Sequence, residues 1–214
     1  MTFLELVNQV LIRLREPTVT DVNANKYTKM IAAFVNDAKR AVEDATKWGS
    51  LRRVINLTTE AGVNTYVLDE TTIRSTVYSV NDRDGGFALK RDTAENLIRD
   101  AQLYGQSGIP SRWGINRLED TGELRLRLEP SPAGERSYFV NAYLESQDLI
   151  NNSDIIRVPA EPVYLHAYAH AVRERGEDSG ATYRESMDTY RRVLARYLIL
   201  NNSVNGGPQQ WQVL

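Results

Sequence analysis

The chain has 214 residues, of which 42% are apolar and 25% charged, the composition of an ordinary globular protein. Its 26 basic and 28 acidic side chains leave a net charge of −2, which excludes the overall basic footprint of a dedicated nucleic-acid binder. Cysteine is absent, which excludes thiol catalysis, disulfide frameworks and cysteine-ligated metals.

The opening MTFLELVNQVLIRLRE is apolar only at helical spacing and lacks the basic start, apolar block and cleavage site of a signal peptide. Thr2 and Glu5 have the three-residue spacing of a capping box, and Phe3, Leu6, Val7, Val10, Leu11 and Leu14 form one stripe. This predicts a first helix over 2–15, stopped before Pro17. After the polar loop PTVTDVNAN, the spacing of Tyr27, Ile31, Phe34, Ala38, Ala41, Ala45 and Trp48 predicts a longer helix that ends at Gly49.

The period then changes to two. RRVINLTT and NTYVLD, joined by AGVN, predict a hairpin over 51–69. STVYSVN and FALKR flank DRDGG, whose Asp and Gly residues suit a tight hairpin loop. DTAENLIRDAQLY predicts a short helix to Tyr104, and WGINR, LRLRLEP and SYFVNAYL predict a three-stranded meander. Pro159 and Pro162 mark the start of a helix over 161–175, and a last helix runs from Ala181 to Asn202 with Tyr183, Met187, Tyr190, Leu194 and Tyr197 on one face. The expected fold class is α+β: a helical bundle from 1–50 and 159–202, an inserted antiparallel β-rich domain over 51–158, and an extended C-terminal tail over 203–214.

Reactive constellations are sparse. His166 and His170 stand at i and i+4 with Glu174 one turn further, a spacing that could hold a divalent metal. Ala167 follows the first His where a zinc protease needs Glu, so the expectation is a packed or interface pair. None of the five lysines has a phosphate-loop context, and Ile109 stands where the nucleophile-elbow motif around Ser107 needs Gly. The acidic pairs Asp82 with Asp84, and Glu119 with Asp120 and Glu123, fall in turns and are read as backbone acceptors. Neither a catalytic residue nor a metal ligand nor a cofactor is expected, and no run reaches the ~18 apolar residues of a membrane span.

Arginine outnumbers lysine 21 to 5, a bias toward the group that pairs bidentately with carboxylates at interfaces. Lys39, Arg40, Arg184 and Arg191 are candidate subunit contacts. Arg125 and Arg127 share a strand face and form a candidate DNA contact. In the tail, Gly206, Gly207 and Pro208 break the last helix before Gln209, Gln210, Trp211, Gln212, Val213 and Leu214, so Trp211 could anchor an extended segment on a neighbour.

FLELVNQVLIRLRE, PTVTDVN, the helix ending DAKRAVEDATKWGSLRR and the segment INLTTEAGVNTYVL together resemble the head-to-tail adaptors of tailed bacteriophages, in the form of the tail tubular A type of short-tailed phages. RVPAEPVYLHAYAHAVRERGED and TYRESMDTYRRVLARYLI resemble that family's closing helix pair. The resemblance covers 3–68 and 157–200. It implies a virion protein without enzymatic activity, a ring of twelve between the portal and the tail nozzle through which double-stranded DNA passes, with the C-terminal segment docking on the portal or a neighbouring copy. Two other classes follow from the residues alone: a hydrolase using His166, His170 and Glu174 or a turn carboxylate, and a DNA-binding module using Arg125 and Arg127.

Overall fold

The structure, a computed structural model, describes residues 1–117, 122–176 and 180–204. Helix α1 (Phe3–Arg13) begins with the reciprocal cap its sequence encodes: Thr2 N donates to Glu5 Oε2 at 2.9 Å and Glu5 N to Thr2 Oγ1 at 3.3 Å. Its buried stripe is Phe3, Leu6, Val7, Val10 and Leu11. Helix α2 (Lys26–Ala45) is capped by Asn25 and ends three residues before Trp48. Trp48 lies beyond the helix, buried, and its indole N–H donates to the Val42 carbonyl at 2.6 Å, satisfying one of the orphan acceptors of the last turn. The buried face of α2 runs through Thr28, Ile31, Val35, Ala38, Lys39, Val42 and Glu43, so it is rotated from the predicted stripe and Ala45 is exposed.

Two compact units result: Met1–Ser50 with the chain from Ser146 onward, and Leu51–Glu145. In the first, α4 (Ala160–Arg175) packs against α1, α2 and α5 (Ala181–Val204). Its buried residues, from Pro162 and Val163 through Leu165, Ala167 and Ala169 to Val172, lie on more than one side, as a central helix requires. Residues 146–158, expected in the β-rich insert, belong with these helices. Asn36 Nδ2 donates to Leu149 O and Asn36 Oδ1 accepts from Leu149 N, while Thr2 bridges to Ile155. Ser203 and Val204, expected in the tail, complete α5.

The second unit is a sandwich of two four-stranded sheets. One has the order β1-β10-β3-β4: β1 (Arg52–Thr58), β10 (Ser137–Tyr143), β3 (Thr76–Asp82) and β4 (Phe87–Ala88). The other has the order β2-β8-β7-β5: β2 (Thr65–Leu68), β8 (Leu124–Glu129), β7 (Arg112–Arg117) and β5 (Lys90–Arg91). β6 (Ser107–Gly108) and β9 (Ser131–Pro132) form a short parallel pair. The core between the sheets holds Leu68, Val80, Trp113, Leu124, Leu126, Leu128, Tyr138 and Val140. Alternation puts every second residue on that inner side.

Three predicted pairings are corrected. β1 and β2 are not a hairpin: β1 pairs with β10 and β2 with β8, in opposite sheets. The connector between them is bound by the 132–136 segment, through Thr59 N to Arg136 O and Gly62 N to Pro132 O, and so crosses the sandwich. FALKR divides at Leu89 into β4, on the first sheet, and β5, on the second. The meander stops after the β7–β8 hairpin, because SYFVNAY becomes β10, the strand between β1 and β3. The hairpin around DRDGG and the helix α3 (Ala94–Tyr104), capped by Thr93, are as predicted.

Candidate interaction surfaces

Lys39, expected at a subunit contact, is fully buried and cannot serve as one. Its ammonium donates to Ser146 O at 2.7 Å, Ser146 Oγ at 3.0 Å and Gln147 O at 2.9 Å, and lies 3.4 Å from Glu43 on the next turn of α2. Ser146 Oγ in turn donates to Glu43. A buried ammonium requires full pairing of this kind, and here it fastens the chain leaving the insert to α2. Arg40, one residue on, points outward. Its Nε and Nη2 grip both oxygens of Asp148, and Nη1 donates to Asp37 at 2.9 Å. Arg184 and Arg191 are exposed on α5, where Arg191 lies 3.4 Å from Asp188.

Arg125 and Arg127 occupy one face of β8, opposite Val67 and Thr65 of β2. Arg125 is exposed and Arg127 half-buried, with its Nε shielded from solvent and without a hydrogen-bond partner. Helix α3 lies over part of this face. A Cβ at Gly114 would stand 2.9 Å from Leu97 Cδ1 and 3.2 Å from the Ala94 nitrogen, so only glycine admits the helix there. Arg112 ties α3 down through Asp100 at 2.8 Å and Asp92 at 3.2 Å. Burial pushes the neighbouring Glu129 carboxyl up, against the opposing pull of Arg127 and Arg112. The arginine stripe is therefore broken, with one open guanidinium and one turned under.

The histidines come together and Glu174 does not join them. His170 Nε2 and His166 Nε2 are 3.1 Å apart, whereas Glu174 is exposed. Among the described residues no group of three or more His, Cys, Asp or Glu could hold a metal ion. His166 stacks on Tyr190 of α5 with centroids 4.3 Å apart and planes 6° from parallel, and His170 meets Phe34 of α2 at 6.0 Å. Burial pushes His166 down to about 4, the adjacent His170 adding to the effect and Asp37 opposing it. Burial and then Arg173 lower His170, again against Asp37. Both rings are therefore neutral at pH 7.

The turn carboxylates serve the backbone. Burial works against the Asp82 carboxylate, but hydrogen bonds from Arg136 Nε at 2.7 Å and Gly85 N at 2.7 Å outweigh it and hold its pKa below the usual range. Asp84 accepts from Ser137 N at 2.9 Å. Glu119 and Asp120 lie outside the described residues, as do Gly206, Gly207, Pro208, Gln209, Gln210, Trp211, Gln212, Val213 and Leu214.

Two features escape a reading of the sequence. Much of the arginine excess is spent inside the chain: Arg74 pairs with Glu145, Arg136 with Asp82, Arg196 with Glu161, and Arg175 binds Glu16 and the Tyr27 hydroxyl. The outer face of the first sheet also carries an aromatic and guanidinium cluster. Tyr78 and Tyr143 pack with centroids 4.9 Å apart, Arg52 lies over Tyr143 at 5.7 Å, and Arg83 lies over Phe139 at 5.5 Å. The only signal for it is the outward register of these residues, visible once β10 is known to lie between β1 and β3.

With helices from both chain ends packed together and β-sheets inserted between them in sequence, comparison with known families places the chain among phage adaptor proteins. Residues 1–209 match the SU10 adaptor protein family, and the chain belongs to it. The role is structural, its place is the virion, and it binds other virion proteins. No curated protein matches the chain. No described helix is long and apolar enough to cross a membrane.

Proposed function

We propose that this adaptor assembles as a ring of twelve copies of the tail tubular A kind, binding the phage portal protein on one side and the tail nozzle protein on the other. The ring extends the channel for double-stranded DNA. The observation that carries this reading is the match of residues 1–209 to a phage adaptor family, together with the resemblance of both helix pairs to head-to-tail adaptors. A closed ring needs heterologous contacts, so each copy uses two different faces. In this reading Arg40, Arg184 and Arg191 contribute to the contacts between copies, and Arg125 is the arginine of β8 open to DNA. The segment Gly206–Leu214, with Trp211 as its anchor, reaches the portal or the neighbouring copy.

The test is the native mass of the protein mixed with its cognate portal ring, beside each component alone. The expected complex is heavier than the portal by twelve copies, and the increment is lost when residues 206–214 are deleted. A portal that gains no mass at any salt concentration overturns the reading. A gain that survives the deletion leaves the ring and removes the tail's part in it.

A further inference from the structure

The histidine pair on α4 is the cluster the adaptor role leaves unused. We infer that His166 and His170 form a two-nitrogen chelate for a late divalent transition-metal ion of the nickel, copper or zinc class. The two Nε2 atoms converge at 3.1 Å. An ion about 2.0–2.1 Å from each would subtend an angle of ~98°, between the ~90° of square-planar and the ~109° of tetrahedral coordination. Imidazole suits these metals, and both rings are held in the neutral form that ligates.

The rings are also pre-positioned. Stacking on Tyr190 fixes His166 from α5, and Phe34 flanks His170 from α2, so little side-chain freedom is left to lose on binding. Of the charged groups around them, Asp37 on α2 favours a cation and Arg173 on α4 opposes it. Without metal, one Nε2 carries a proton and donates to the other. Binding shifts that proton to Nδ1 of the same ring, which leaves both Nε2 lone pairs for the ion and releases no net proton. Nδ1 of His166 is buried without a partner, so this ring lacks the outer acceptor that strengthens most metal histidines. The protein supplies two ligands and water the remainder, since both residues are half-buried and not sealed.

The chain's own composition makes the test clean: it has two histidines and no cysteine. Untagged full-length protein is titrated with Ni²⁺ while the imidazole resonances are followed by NMR, and with Zn²⁺ while thermal unfolding is followed. The expected result is that both imidazoles broaden together with one equivalent of Ni²⁺ and that Zn²⁺ raises the melting temperature. His170→Gln should weaken Ni²⁺ binding roughly 10²-fold, because the second nitrogen binds intramolecularly. If neither imidazole responds, or only one does, the chelate is wrong and the pair is a hydrogen bond alone. The wild-type resonances decide this even if the variant fails to fold.

Discussion

The helical unit and the sandwich are stabilised by different kinds of interior. The helical unit sets charge and polarity among its packed helices: fully buried Lys39 with Glu43 and Ser146, and the half-buried imidazole pair between Phe34 and Tyr190. The core cluster between the sheets is hydrocarbon, with Trp113 donating to Leu89 O at 3.2 Å and the Tyr138 hydroxyl buried without a partner, while the unit's buried polar groups, among them Thr59, Thr71, Glu129 and Asp82 paired with Arg136, stand outside that cluster. A packed hydrocarbon core tolerates changes in charge and solvent but not loss of volume. A core held by polar contacts is specific in register and sensitive to loss of one partner.

That contrast can be broken in order of expected effect. Lys39→Ala leaves Glu43 buried without its cation and should destabilise the helical unit by about 3–5 kcal/mol. Denaturant unfolding read from Trp48, in a background where Trp113 and Trp211 are Phe, measures it; a loss below about 1 kcal/mol would show that the buried pair is dispensable. Leu126→Ala removes volume at the centre of the sandwich and should cost about 2–5 kcal/mol there. Trp113 is the reporter, and an equal loss at Trp48 would mean that the two units unfold as one.

Acidification separates the interiors more gently. Both histidines have lowered pKa values in the fold, so the neutral rings stabilise it above the ordinary histidine value near 6.5, and this is lost as pH falls toward about 4. Discounted for partial exposure, the loss is about 1–2 kcal/mol, expected at Trp48 and reduced in His166→Phe, where only His170 remains to titrate, with a chelator present throughout. The smallest effect is Tyr138→Phe. Burial pushes that hydroxyl up to about 12, and with no partner its removal should be neutral or stabilising by up to about 1 kcal/mol. A loss above that would reveal a hydrogen bond from Tyr138.

The two interiors also differ in how far a sequence reveals them. Helical periodicity is local, and so Thr2 with Glu5 and the Tyr190 face could be read directly, as could the opening and closing of the helical pairs. Alternation in a strand tells which residues face inward and not which strand lies alongside. Ile55 and Leu57 therefore marked β1 as half-buried while its neighbour, β10, lay more than eighty residues away. Leu89 shows the same limit at one residue, since nothing in FALKR marks the change of sheet. At the surfaces, the sequence offers Lys39 as a candidate subunit contact, and its burial involves Ser146 and Gln147, distant in sequence. The histidine spacing was visible, but Phe34 and Tyr190, which set the rings, were not.

One feature of the sandwich bears on how such a chain can be altered. Its first and last strands, β1 and β10, are antiparallel neighbours with Arg52 opposite Tyr143, and Leu144 N donates to Leu51 O at 3.0 Å. The unit therefore starts and finishes at one point, about one strand spacing apart. A turn of about two residues could join Glu145 back to Leu51, giving a circular permutant with new ends in an outer loop. By the same geometry the helices could accept a short bridge, or a different domain with adjacent ends, in its place. The insert is a removable cassette, and an adaptor's sheet-borne surface can be exchanged without rewriting its helices.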